Sequence, residues 1–98
     1  MQHEIVDRKL IFHLKGELNS YNSEEVETEI DDVIAKGGFD TVIFDIDELK
    51  YMSSAGLRIV ARLKQMYDDF SIINMSNDIY DVFSMVGFTD LIKIQRKK

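Results

Sequence analysis

Apolar and polar positions alternate near the start of the chain. In the segment KLIFHLKG, Leu10, Phe12 and Leu14 share one face and the residues between them share the other, as in a half-buried β-strand. The preceding segment HEIV is a candidate partner strand, joined to it through the polar turn Asp7-Arg8. We therefore expect the chain to open with a β-hairpin.

The pattern changes to a helical period from Ser20 or Ser23 onward. Apolar residues then recur at positions i, i+4, i+7 and i+8, with mostly acidic residues between them. They are Val26, Ile30, Val33 and Ile34. Gly37-Gly38 ends this amphipathic helix, and a short apolar run, TVIFDI, follows it. Such a run is typical of a strand that is buried on both faces in the middle of a sheet.

Two more helices and two more strands follow. The pattern predicts a second helix that continues from Leu57 through Tyr67, and a third helix that is closed by Gly87 as a left-handed C-terminal cap. The apolar positions of the third helix are Ile79, Val82, Phe83 and Val86. The segments FSIIN and LIKI predict strands that follow these two helices.

This order of elements predicts an α/β fold. We expect a single small domain over residues 1–98, with a mixed, mostly parallel sheet, an antiparallel strand from the N-terminal hairpin and three main helices. A chain of 98 residues is the size of one ordinary domain, and no proline, repeat or linker interrupts it.

The composition excludes several classes of function. With 45% apolar residues, 31% charged residues and no apolar run of about 20 residues, the chain is typical of a soluble protein. The N-terminus lacks a secretory signal, so we expect a cytoplasmic protein. A net charge of −6 argues against broad nucleic-acid binding, and we expect the basic end, QRKK, to be a solvated tail. Because cysteine is absent and His3 and His13 are the only histidines, any metal site would have to consist mostly of carboxylates. We predict no metal and, since no residue pattern supports nucleotide binding, no cofactor.

The segment SSAG lies between the predicted strand TVIFDI and the predicted second helix. Partner and ligand sites of parallel sheets collect at the carboxyl ends of the strands, so this segment is the first candidate for a functional site. A serine at this place also caps a helix, which stabilises it by about 1 kcal/mol.

A longer segment around it, FDIDELKYMSSAGLRIVARLKQM, resembles the signature of the STAS domain family, which includes the bacterial anti-sigma factor antagonists. LIFHLKGELNSYNSEEVETEI is similar to the family's opening strand and first helix, and VFSMVGFTDLIKI is similar to its last helix and strand. The resemblance covers residues 10 to 94. It implies a phosphorylation-switched module that binds an anti-sigma factor with serine kinase activity and so regulates sigma-factor-dependent transcription.

In the antagonists the phosphorylated serine stands two residues before the glycine, so the resemblance implies phosphorylation of Ser54. Many antagonists have Asp at the position of Ser53 and Ser or Thr at that of Ala55, and Ser53 is therefore a rival acceptor. The candidate partner-binding residues are Asp45, Tyr51, Met52, Ser53, Ser54, Ala55, Gly56 and Arg58.

Several of these residues have two interpretations. Asp45, which ends the predicted strand, is a candidate for hydrogen bonds with loop amides near Ser54. One of Tyr51 and Met52 is expected to pack beneath the sheet while the other is exposed. Arg58 and Arg62 either pair with an acidic partner or form an ordinary solvated helix face. The neighbouring acids Asp47 and Glu48 are expected to solvate the loop.

A binding adaptor and an enzyme are the two alternatives to this function. A non-phosphorylated STAS adaptor, for example in a lipid-transport complex, is favoured by the absence of Asp at position 53. Catalysis is disfavoured, because Ser54 has no candidate base and the chain lacks G-x-S-x-G and phosphate-loop motifs. A monomer that neither inserts into a membrane nor binds nucleic acid directly is expected.

Overall fold

The computed structural model of the chain describes residues 1–98. The strands are β1 (Gln2–Val6), β2 (Lys9–Leu18), β3 (Thr41–Met52), β4 (Ser71–Met75) and β5 (Lys93–Arg96). The helices are α1 (Ser23–Ala35), α2 (Ser54–Met66) and α3 (Asn77–Met85), and a short 3-10 helix covers Phe88–Asp90. The predicted order of strands and helices is confirmed.

The five strands form one sheet in the order β1-β2-β3-β4-β5. β1 is antiparallel to β2, and all other neighbours are parallel, so the mixed sheet and the opening hairpin are confirmed. The hairpin turns at Asp7 and Arg8, whose φ angles are 51° and 64°. Positive φ at both central residues is characteristic of the type I′ turn, which matches the twist of the flanking strands.

All three helices pack against the same face of this sheet. Leu10, Phe12 and their register partners in β3 and β4 are buried on that face, in one core cluster of 19 residues that includes residues of α1, α2 and α3. The opposite face carries Ile11, Ile43 and Ile73, which are only half-buried. The expectation that the segment TVIFDI is buried on both faces was therefore wrong.

The third strand is longer than the sequence predicted. It continues past Ile46 to Met52, because two register shifts insert one extra residue each into β3 relative to β2. Across these bulges, the inward positions are spaced three residues apart, at Ile46, Leu49 and Met52, and all three are buried. Asp45 therefore lies within the strand and does not end it.

Of the four apolar positions predicted for the third helix, Ile79 and Phe83 are buried, whereas Val82 and Val86 are exposed. One expectation about the C-terminal part was wrong. The QRKK end is not a free tail: Arg96 belongs to β5, its guanidinium stacks 3.9 Å from the ring centroid of Tyr80, and it donates to Asn77 Oδ1. Gly87 has the predicted left-handed conformation, with φ of 81°.

No helix of the protein has both the length and the apolar character that crossing a bilayer requires.

Candidate functional site

Ser53 forms the N-cap of α2. Its backbone is extended, and its Oγ accepts a hydrogen bond from the amide of Ala55 at 3.2 Å. Its own amide donates to the carbonyl of Leu18 at 2.8 Å, and its carbonyl accepts from the amide of Leu57 at 3.0 Å. Ser53 is half-buried, so its hydroxyl is committed to capping α2, while its backbone amide ties the start of the helix to the end of β2.

Ser54, the next residue, is the first residue of α2 and is exposed to solvent. Its hydroxyl makes no hydrogen bond within the chain, in contrast to that of Ser53. The first turn of α2 contains no acidic residue, whereas α1 and α3 each have at least one. The positive end of the α2 dipole is therefore not neutralised by a carboxylate of its own helix.

Gly56 allows α2 to approach the sheet closely. A Cβ at this position would lie 2.6 Å from Met52 Cγ and 3.0 Å from Leu18 Cδ2. Only glycine leaves enough room for the helix backbone over the ends of β2 and β3. The start of α2, including both serines, is thereby fixed on a packed base.

Three of the predicted partner-binding residues contribute to that base and have little surface of their own. Met52 is only 4% exposed, and Ala55 and Gly56 are also buried. Met52 is therefore wrong as a contact residue, because its side chain packs under α2. Tyr51 is 51% exposed, so this residue is the one of the pair that can reach a partner.

Asp45 belongs to a different cluster. Its Oδ1 accepts hydrogen bonds from Asn74 Nδ2 at 3.0 Å and from the amide of Asp47 at 3.1 Å, and its Oδ2 lies 3.2 Å from His13 Nδ1. Met52 lies seven positions after Asp45 in β3, a span of about 23 Å for an extended strand. The expected hydrogen bonds to amides near Ser54 are therefore absent, and that assignment of Asp45 was wrong.

Sequence reasoning missed Asn74 and His13 as the partners of Asp45. Asn74 lies within β4 with φ of 59°, a left-handed conformation that asparagine adopts more readily than most residues. An asparagine inside an otherwise apolar strand was the one available signal. The position of His13 contained no such signal, because a histidine is ordinary on the polar face of an alternating strand.

The two arginines of α2 differ in their surroundings. Arg62 donates to Glu27 Oε2 and to Asp31 Oδ1, both at 2.7 Å, and these carboxylates of α1, Asp31 foremost, raise the pKa of the Arg62 guanidinium. Arg58 is exposed and forms neither an ion pair nor a hydrogen bond through its side chain. Arg58 is thus the one cationic side chain of α2 that has no partner within the chain.

The acidic residues that precede the serines are paired within the chain. Lys97 Nζ lies 3.4 Å from Asp47 Oδ1, and Lys15 Nζ lies 3.6 Å from Glu48 Oε2. Both acids are exposed, in agreement with their expected role in solvating this part of the surface. No three His, Asp or Glu side chains are arranged so that they could hold a metal ion.

Comparisons with known proteins agree on one family. Residues 1–98 match the STAS domain family. BtrV of Bordetella bronchiseptica, which bears the name of an anti-sigma factor antagonist, is 31% identical over 97 residues, which cover 95% of this chain and 83% of BtrV.

Solved structures of similar fold include two further proteins that are described as anti-sigma factor antagonists. The Thermotoga maritima protein tm1081 has a TM-score of 0.88 at 18% identity, covering 96% of this chain and 84% of its own. Unphosphorylated SpoIIAA has a TM-score of 0.78 at 24% identity, covering 98% and 88%. The phosphorylated form of SpoIIAA, from Bacillus, has a TM-score of 0.70 over 98% and 91%. These likenesses confirm the predicted fold.

Proposed function

Because this chain belongs to the STAS domain family, we propose that it is an anti-sigma factor antagonist switched by phosphorylation of Ser54. Unphosphorylated, it binds an anti-sigma factor with serine kinase activity in the cytoplasm and so releases a sigma factor for transcription. Phosphorylated, it dissociates. The naming of BtrV as an anti-sigma factor antagonist supports the choice of partner.

Ser54 is chosen as the acceptor because its hydroxyl is free. It is exposed and unbonded, so a kinase can reach it without disrupting the fold. Ser53, the rival acceptor, is half-buried and its Oγ caps α2, so its phosphorylation would have to break that contact. The geometry therefore favours Ser54 over Ser53.

The transfer itself needs no catalytic group from this chain. The Oγ of Ser54 forms a bond to the γ-phosphorus of ATP while the bond between that phosphorus and the β–γ bridging oxygen breaks. ADP leaves, and the hydroxyl proton passes to a base of the kinase or to water. This chain is the substrate and the binding module, and the partner is the enzyme.

The phosphate is expected to change binding more than folding. At an exposed helix N-terminus, a negative charge stabilises the helix by about 0.3 to 1 kcal/mol. Inside a formed interface, the same dianion would pay a desolvation cost of several kcal/mol, and each 1.4 kcal/mol weakens affinity tenfold. The proposed contact surface consists of Tyr51, Ser54 and Arg58, which are all exposed, supported from below by the buried base.

The adaptor alternative rested on the absence of Asp at position 53. Ser and Asp are about equally good N-caps, and Ser53 performs that role in this structure. The departure from the common antagonist pattern thus preserves the cap, and it no longer favours a non-phosphorylated protein.

The direct test incubates the chain with its cognate anti-sigma factor and ATP. Trypsin then releases the peptide 51–58, which contains both serines, and its fragment spectrum assigns the phosphate. We expect phosphate on Ser54, no transfer to a Ser54→Ala variant, and weaker binding of a Ser54→Asp variant. Phosphate on Ser53 alone, or equal affinity of the wild type and Ser54→Asp for the anti-sigma factor, would refute the proposal.

A further inference from the structure

Helix α2 carries three cationic side chains, and two of them already have acceptors. Arg62 is held by Glu27 and Asp31, and Lys64 Nζ donates to the carbonyl of Asp68. Arg58 alone has no partner, although it is exposed on the same helix as Ser54. A long cationic side chain without an acceptor is available for a charge that arrives later.

Ser54 and Arg58 are four residues apart in a continuous α-helix. Residues at this spacing lie on the same face, with Cβ atoms about 5–6 Å apart, so their side chains can meet. Helical side chains lean toward the N-terminus of their helix, so the side chain of Arg58 can reach back toward Ser54. The planar guanidinium can donate two parallel hydrogen bonds to phosphate oxygens.

We propose that Arg58 is the intrahelical partner of a phosphate on Ser54, so that phosphorylation withdraws this arginine from the contact surface. The inference rests on the proposed phosphorylation of Ser54 and adds the residue of this chain that binds the phosphate. Before phosphorylation, Arg58 is free to contact the anti-sigma factor. Afterwards, it pairs with the phosphate and is lost to the partner.

One carboxylate near Arg58 can compete with the phosphate for its guanidinium. The groove between α1 and α2 is lined by Glu24 and Glu27 of α1 and by Arg58 and Arg62 of α2. Glu27 is occupied by Arg62, whereas Glu24 forms no ion pair. A dianion on the same helix face attracts Arg58 more strongly than a single carboxylate across the groove does. Glu24 is therefore expected to weaken the new pair without preventing it.

The switch then has two parts that act in the same direction. The phosphate places a dianion in the interface, and the loss of Arg58 removes a cation from it. An Arg58→Gln variant should accordingly bind the anti-sigma factor more weakly when unphosphorylated, and phosphorylation should reduce its affinity by a smaller factor than in the wild type.

The test uses the full chain with phosphoserine incorporated genetically at position 54, which requires no kinase. The second pKa of the phosphate, near 6 for phosphoserine, is followed by phosphorus NMR between pH 5 and 8. A neighbouring cation favours the dianion and lowers this pKa. Arg58→Gln should therefore raise it by about 0.2 to 0.4 pH units, a value converted from the usual strength of such helical pairs.

Lys36→Gln is the matched control, because this substitution also removes one exposed positive charge. Lys36 lies at the C-terminal end of α1. It should leave the phosphate pKa unchanged, and Glu24→Gln should lower it slightly. Equal values for Arg58→Gln and Lys36→Gln would overturn the inference, whereas the proposed function would survive. Conversely, if no anti-sigma factor phosphorylated the chain, the proposed function would be refuted. The titration would not be affected, because it uses incorporated phosphoserine.

Discussion

Replacing Ser53 by alanine removes the hydroxyl that accepts from the amide of Ala55 and leaves that amide without a partner. Loss of a serine N-cap costs about 0.5 to 2 kcal/mol, typically about 1. For a domain of 98 residues, about 1 kcal/mol lowers the melting temperature by about 4 to 8 °C. Ser54→Ala breaks no hydrogen bond, and alanine favours the helix slightly. The free energy of unfolding of this variant should therefore change by less than about 0.5 kcal/mol.

Urea unfolding followed by circular dichroism measures both variants, and an unchanged slope shows that the midpoint difference is one of stability. Ser53→Asp is the matched control, because aspartate retains the cap and should restore most of the stability. If Ser54→Ala lost as much stability as Ser53→Ala, the Ser54 hydroxyl would be bonded in the folded protein. That hydroxyl would then not be free for a kinase, and the choice of Ser54 as the acceptor would be refuted.

Three further predictions concern packing, backbone conformation and pH. Gly56→Ala should lower stability by up to about 2 kcal/mol, because overpacking against Met52 costs about 1 to 3 kcal/mol while the helix gains about 1; higher stability in urea would contradict the close approach. Asn74→Ala should be about 1 kcal/mol less stable than Asn74→Gly, since both lose the side-chain bond but only glycine tolerates φ of 59°; the reverse order would count against the left-handed conformation. The hydrogen bond from Arg8 lowers the pKa of Asp40, so this pair stabilises the fold above the unfolded carboxylate's pKa and loses that contribution as the pH falls through the folded value. Acid unfolding of Asp40→Asn should therefore depend less steeply on pH below about 4 than that of the wild type, and identical profiles would refute this.

The hydrophobic pattern predicted the elements well where their periods were regular. Alternation at Leu10, Phe12 and Leu14 gave the second strand with its buried face, and all three are at most 5% exposed. The polar pair Asp7-Arg8 gave the turn. These local signals suffice because each element buries its apolar face in a single register.

The extension of β3 could not be predicted in the same way. Its inward residues Ile46, Leu49 and Met52 are spaced by three, which is closer to a helical period than to the alternation of a strand. Only the pairing with β2 creates the bulges, and no local pattern in β3 contains that information. The same cause misplaced Asp45, since its partners come from β2 and β4.

The candidate site was predicted in part. The sequence and the family resemblance led to Ser54, but the distinction from Ser53 needed the hydrogen bond of the cap. The exposure of Tyr51 and the burial of Met52 likewise depended on where the bulges lie. The freedom of Arg58 depended on α1, because its carboxylates occupy Arg62 and leave Arg58 alone.

The long β3 has a consequence for access to the site. β3 pairs with β4 only as far as Asp45, and Lys97, just after β5, donates to the carbonyl of Asp47, so the neighbouring strands end near that level. β2 and β3 continue together to Leu18 and Met52. The first turn of α2 therefore stands on a two-stranded projection beyond the rest of the sheet. Under the proposed function, a kinase can therefore approach Ser54 beyond the ends of β4 and β5 without displacing either strand.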